Sequence, residues 1–524
     1  MTKARAKALL TTPRGSISVG TTGSGSLHEA AELPVRGAGY AVFGGMRSRH
    51  TNYGTDELVR LIERAAREMA KRYPGSVLGV GNLGNATGGK IPWSVSHRAG
   101  RDADIGMFAL DRKGAHVNQD GFHRFGADLE AQGGRYRFDL ERNLALVRAL
   151  LADEATQIQW IFVAEWLKRP LLAEAARQGA TPAELARLDA VLHQPSDSNP
   201  HADHFHIRLY CSFEDRCHGC VDWGPIHDGV DLRDADFDAF VDELCRVVTD
   251  LDAPKLQRRA LERLEAVRSP RAVPTLLATL SSDRDALRRA ALRALRAVGV
   301  GDAVPGLLAA LLRVRDPAWA GELFDVVLGI DHPDALAVAM TALETPERLF
   351  APEVAARVAA RARIGAAEVA GRLGQKEAAE ALFALLSSPD GGVRQAAHEA
   401  LRAVTNQDIP GRGLESRREA RRAKVVAAWR AFLDAQRDES WLQWQRLGFE
   451  ARGIRFHPKM GCPEGVEKLI GAITHRDRVL AANALRVLGE LTGHVDDGRR
   501  RSARNNQRHW RTWWDAHKSE VAFP

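Results

Sequence analysis

Two textures of hydrophobic and polar positions meet near residue 250 of the chain. Before that point, short apolar runs of strand type recur: SVLGVG (76–81), ADIGMFAL (103–110), IQWIFVA (158–164) and HFHIRLY (204–210). Glycine-rich loops separate them, together with stretches such as ELVRLIERAAREMAKRY (57–73), whose apolar positions return with helical spacing. The mixture predicts an α+β domain over residues 15–232 with its strands in a small antiparallel sheet, preceded by a tail (1–14) and followed by a linker helix (233–252).

From about residue 253 the pattern is purely helical, rich in Ala, Leu and Arg, and it repeats. ALERLEAVRSPRAVPTLLATL (260–280) returns 31 residues later as ALRALRAVGVGDAVPGLLAAL (291–311), and SSDRDALRRAALRALRAV (281–298) returns as SSPDGGVRQAAHEALRAV (387–404). A unit of two short amphipathic helices cannot bury its apolar face alone, so such repeats stack into an all-α solenoid. These units resemble HEAT repeats, expected over 253–436 and, in a Trp- and Arg-rich form, over 437–524. Six of the eleven tryptophans follow residue 420, and WRAFLDA (429–435) matches WRTWWDA (510–516); at helical spacing they read as packing anchors. The arginine-rich GRRRSARNNQRHWR (498–511) reads as a solvated loop between repeats.

Bulk properties narrow the picture less. A length of 524 residues allows roughly two to four domains. No apolar run reaches the roughly 18 residues of a membrane span. A net charge of +7 favours acidic partners, among them nucleic acid, anionic lipid and carboxylate-rich wall polymers, without choosing between them. The start, MTKARAKALLTTPRGS, is basic, but its apolar stretch is only ALL, so as written the chain carries no visible export signal. Three of five cysteines, Cys211, Cys217 and Cys220, cluster in CSFEDRCHGC. A disulfide or plain thiols suit this spacing better than a zinc knuckle, because CHGC has no second CxxC.

Several motifs fail on their surroundings. GVGNLG (79–84) matches a dinucleotide-binding turn, but NATGGKIPW follows it where a helix must begin. GNATGGKI (84–91) lacks the Ser or Thr of a phosphate-binding loop at Ile91, and Pro92 opposes a helix. HEAAE (28–32) and HEALR (398–402) lack the second histidine of a zinc helix.

HADHFHIRL (201–209) survives this filter. If it is a strand, His204 and His206 share one face, Phe205 and Ile207 face the core, and His201 leans over the histidine face from the strand's start. A catalytic zinc takes three protein ligands and leaves one position for water, so a second segment is needed. SHRAGRDADIGMF (96–108) offers His97 in a loop and Asp104 on a strand, with Asp102 on the same face to orient a ligand from behind.

Together these residues resemble the penicillin-insensitive murein endopeptidases, within the wider zinc group of lysostaphin-type peptidases, D-alanyl-D-alanine peptidases and hedgehog domains. SH-x2-G-x-D-x-D and H-x2-H-x-H-[IV]-RL stand in family order, and residues 15–34, 53–66 and 78–90 are similar to the family's opening segment, first helix and glycine-rich approach. The likeness covers about residues 15–230. It implies a zinc-peptidase domain in which His97, Asp104 and His206 bind one zinc ion per chain. His201 and His204 are then the base and the oxyanion donor, in that order or the reverse. It implies hydrolysis of D-alanyl–meso-diaminopimelyl cross-links in peptidoglycan, in the periplasm. The implied partners are those cross-links and a protein held by the HEAT-like region, not nucleic acid. Two other outcomes stay open: a D,D- or L,D-carboxypeptidase on stem peptides, and a non-catalytic zinc-binding scaffold. A second metal site found in family members departs here, with Ser94 and GGRY (133–136) at its positions.

Overall fold

A computed structural model describes every residue except 12–14, 153–155, 196–197, 417, 457–459, 495–501 and 524. The chain divides into two compact units, Met1–Ala272 and Val273–Pro524.

The first unit is built on a seven-stranded sheet. Its strands are β1 (Arg36–Gly37), β2 (Tyr40–Val42), β3 (Leu78–Val80), β4 (Asp102–Gly106), β5 (Ile158–Phe162), β6 (Leu192–His193) and β7 (His204–Leu209), in the spatial order β6-β5-β7-β4-β3-β2-β1. The expected small antiparallel sheet is thus corrected to a larger, mixed one: β2 and β3 run parallel, as do β5 and β6. Parallel neighbours need a crossover, and helices supply it. Helix α1 (Asp56–Arg72) joins β2 to β3; α3 (Glu165–Arg177) and α4 (Pro182–Val191) join β5 to β6; α2 (Leu140–Leu151) precedes β5. Thr55 caps α1 by accepting from the Leu58 N–H, with acidic residues in its first turn and basic ones in its last, which suits the helix dipole.

Strand alternation sends Ala103, Ile105, Phe205 and Ile207 to one side, where they are buried with Leu58, Ile62, Leu146 and Leu171 of the helices. The opposite face keeps Asp102, Asp104, His204, His206 and Arg208. Strict alternation would put Ile158 beside Trp160 and Phe162. A bulge at Gln159 breaks the register, pairing Ile158 with Leu209 on the core side and Trp160 with Arg208 on the other.

The segment read as a tail carries a helix, Lys3–Leu9, with Ala6 and Leu10 buried and Arg5 3.0 Å from Glu243. Glu243 belongs to the helix Asp234–Asp250, a packed element with Val241, Leu244 and Val247 fully buried. Cys211 and Cys220 form a disulfide, and Cys217 is a buried thiol.

The second unit is helical between turns, in short amphipathic pieces such as Asp285–Val298, Val304–Leu311, Pro317–Leu328 and Gly391–Thr405. Trp429, Trp444, Trp510 and Trp514 are buried, as packing anchors would be. His398 of HEALR accepts from the Trp429 indole N–H at 3.0 Å, an interior contact. The arginine-rich loop is corrected in part. Residues 498–501 lie outside the described residues, but Ser502 caps a helix, Ala503–His517, because Trp510 and Trp514 give that stretch a buried face.

Asp215 is a buried carboxyl that accepts from the Ser18 N–H at 2.7 Å. Burial pushes it up to about 7, against that hydrogen bond. Its folded state therefore binds the proton more tightly than the unfolded chain, so its contribution is complete below about pH 4 and is lost as pH rises through 7. Asp215→Asn keeps an acceptor for Ser18 but cannot titrate. Between pH 5 and 8 the native protein should lose roughly 2–3 kcal/mol relative to this variant in urea unfolding with chelator present; parallel pH profiles would refute the assignment.

Candidate metal centre

β4 and β7 pair antiparallel, placing Asp104 opposite His206 and Asp102 opposite Arg208, so their side chains rise together from one face. His97 arrives from the loop after β3, in a left-handed conformation (φ 63°). Its backbone N–H donates to Asp102 Oδ2 at 2.9 Å, and its Nδ1–H donates to the Leu83 carbonyl at 2.5 Å. A carbonyl can only accept, so Nδ1 carries a proton and Nε2 is the ring nitrogen turned toward Asp104.

Asp104 Oδ1 is where the histidines meet. His97 Nε2 lies 3.1 Å away, His204 Nε2 3.4 Å and His206 Nδ1 3.5 Å. Two sets of ligand atoms each lie within 4.8 Å of one another: His97, Asp104 and His206, and His201, His204 and His206. For a tetrahedral ion with bonds of 2.0–2.2 Å, neighbouring ligand atoms sit about 3.3 Å apart. The separations from Asp104 Oδ1 to His97 and His206 straddle that value, so the first set fits such an ion.

Electrostatics favour a cation there. Burial would raise both carboxyls, but Arg208 beside Asp102, and His97 and His204 around Asp104, outweigh it and hold both well below the carboxylate range. At His97 burial opposes the proton and Asp104 wins, raising it. His206 is pushed down by burial, and His201 to about 3 by burial and the neighbouring imidazoles. His204 is burial-opposed too, yet Asp104 and Asp203 carry it to about 10.

The two remaining histidines are held differently. His204 Nδ1 is 2.7 Å from Asp203 Oδ1, and its ring stacks on Phe122 at 4.7 Å. A Cβ at Gly81 would sit 2.4 Å from the Phe122 ring, so glycine is required for that support. His201 also has positive φ (57°), and its Nδ1 is buried without a hydrogen-bond partner. Asp102 accepts Arg208 Nε at 2.7 Å and lies 3.4 Å from His206 Nε2, so it anchors the His97 backbone and backs His206. The cysteine cluster lies beyond the other end of β7 and contributes nothing to this group.

Sequence reasoning missed Asn82, Asp203, Arg208 and Phe122. Asp203 and Arg208 stand in the histidine stretch itself, and Arg208 continues the His204/His206 alternation, so both were findable. Asn82 donates to Asp104 Oδ2 at 3.0 Å while its own carbonyl accepts from Thr51 at 2.9 Å, fixing which oxygen faces the imidazoles. Asn82→Ala should weaken metal binding about 10–100-fold, read by competition with a chromogenic chelator. Unchanged affinity would show that Asp104 needs no such support.

Beyond β3 no helix opens: residues 81–101 are loop, which leaves the dinucleotide and phosphate motifs without the element they require. No curated protein matches the chain. Among solved structures, the crystal structure of an engineered protein is 17% identical, covering 47% of this chain and 94% of its own, with a TM-score of 0.21. Residues 241–320 match HEAT repeats, and residues 18–271 match the penicillin-insensitive murein endopeptidases. That second match contains β4, β7 and every residue of the centre, and it marks this part of the chain as a peptidase similar to the penicillin-insensitive murein endopeptidases.

Proposed function

We propose that the protein is a zinc-dependent peptidoglycan hydrolase that cuts D-alanyl–meso-diaminopimelyl cross-links, with His97, Asp104 and His206 holding one zinc ion. The convergence of imidazole nitrogens on one buried carboxylate oxygen carries this reading. When bound, zinc supplies Lewis acidity to the scissile carbonyl and lowers the pKa of a bound water. His201, which offers a ring nitrogen within 4.8 Å of those of His204 and His206, serves as the general base. His204, its Nδ1 held by Asp203, donates a hydrogen bond to the developing oxyanion. Phe162, 5.8 Å from His201 and 5.3 Å from His206, shields both rings from water on the β5 side.

The Cys211–Cys220 disulfide suits an oxidising compartment, and with a wall substrate it supports the periplasm as the site of action. We further propose residues 15–232 as the catalytic domain, 233–252 as the joining helix, and the HEAT repeats over 253–436 and 437–524 as a surface for a protein partner. Digestion of purified cross-linked sacculi, resolved by mass spectrometry, tests the bond. Loss of dimeric muropeptides with intact monomer stems is expected; shortened monomers with dimers preserved would make the enzyme a carboxypeptidase, and no change in either would leave a scaffold.

A further inference from the structure

The sheet face that carries the metal centre continues beyond it as an aromatic shelf. Phe162 lies opposite His206 and Trp160 opposite Arg208, so both rings stand on the histidine face of β5. From His206 the rings step to Phe162 at 5.3 Å, to Trp160 at 5.9 Å, and on to His193 and His227, each 4.8 Å from Trp160. A loop, 223–227, borders Trp160 and is clamped in place: Gln159 Nε2 donates to the Trp223 carbonyl at 3.0 Å, and Tyr210 Oη donates to the Pro225 carbonyl and accepts from the His227 N–H, both at 3.0 Å. This rigid loop holds two large apolar side chains in solvent, Trp223 at 39% and Ile226 at 57% exposure.

We propose that this shelf binds the sugar strand of peptidoglycan beside the peptide being cut, an assignment that rests on the function proposed above. Flat indole faces suit the C–H faces of pyranose rings, which need apolar contact and no countercharge. A peptide stem, by contrast, brings carboxylates, and the guanidinium over Phe162, that of Arg208, is engaged by Asp102.

The probe is a β-1,4-linked N-acetylglucosamine tetramer, which contains no peptide. It should bind the full-length protein saturably and shift tryptophan fluorescence, with or without zinc. Trp223→Ala should weaken that binding about tenfold, and Trp160→Phe, which keeps a ring beside Phe162, should weaken it less. In both variants KM on sacculi should rise relative to KM on a sugar-free cross-linked peptide dimer. Failure of the tetramer to bind, or equal binding by all three proteins, overturns the proposal, as does its complete displacement by the peptide dimer. Sugar binding without hydrolysis of any peptide would uphold the shelf and remove the peptidase function; hydrolysis of sacculi without sugar binding would do the opposite.

Discussion

Asp104→Ala is expected to leave a protein that folds, holds no zinc after dialysis and releases no muropeptides. Asp104 supplies the oxygen on which His97 and His206 converge, and it is buried between β3 and β7, so no other group in contact replaces it. Losing one of three ligands should cost more than the roughly 10–100-fold typical of an outer partner, so the effect must exceed that of Asn82→Ala. Folding is expected to survive because the hydrophobic core lies on the other face of the sheet and because the imidazoles left without Asp104 can shed their protons, as fixed cations could not. Metal content by mass spectrometry and dye release from labelled sacculi are the measurements. If Asp104→Ala binds one equivalent of zinc with native affinity, the ion sits instead on His201, His204 and His206, and the ligand assignment falls.

Replacing His201 or His204 should separate chemistry from metal binding. Each variant should retain one zinc ion, while kcat falls by about 10²–10⁴ and KM changes little. His201 occupies a left-handed backbone position, which alanine adopts poorly; His201→Asn tolerates it and is the cleaner removal of the base. For His204, removal of Asp203 is a graded control: Asp203→Asn should lower kcat less than His204→Ala, because it weakens the hold on the imidazole without deleting the ring. Undiminished hydrolysis in either histidine variant would remove its catalytic assignment. Loss of zinc along with activity would move that histidine into the ligand set.

Much of the centre was legible because strand alternation is a local rule. Once HFHIRL is a strand, His204 and His206 must share a face, and the same rule joins Asp102 to Asp104. The repeats after residue 253 were legible for a similar reason, since amphipathic pairs of helices advertise their own period. The arginine-rich segment was misjudged because its charge suggested a loop, whereas Trp510 and Trp514, four residues apart, gave it a helical face to bury.

Other features depend on partners distant in the chain. Parallel pairing of β2 with β3 and of β5 with β6 arises only when the intervening helices fold back across the sheet, which no short window of residues announces. Asn82 counts as a supporting residue only because Asp104 ends up 3.0 Å away, and Trp160 faces outward only because the bulge at Gln159 resets its register. By itself, then, the order of residues determined which side chains could bind a metal, which face of each strand they occupy, and that helical repeats follow the sheet domain. The tertiary structure decided which strands are neighbours, which oxygen of Asp104 the imidazoles meet, and which aromatic rings border them. Periodicity acts within a segment, through covalent geometry; convergence acts between segments, through packing that buries one side of the sheet and leaves its charged side to be satisfied from across it.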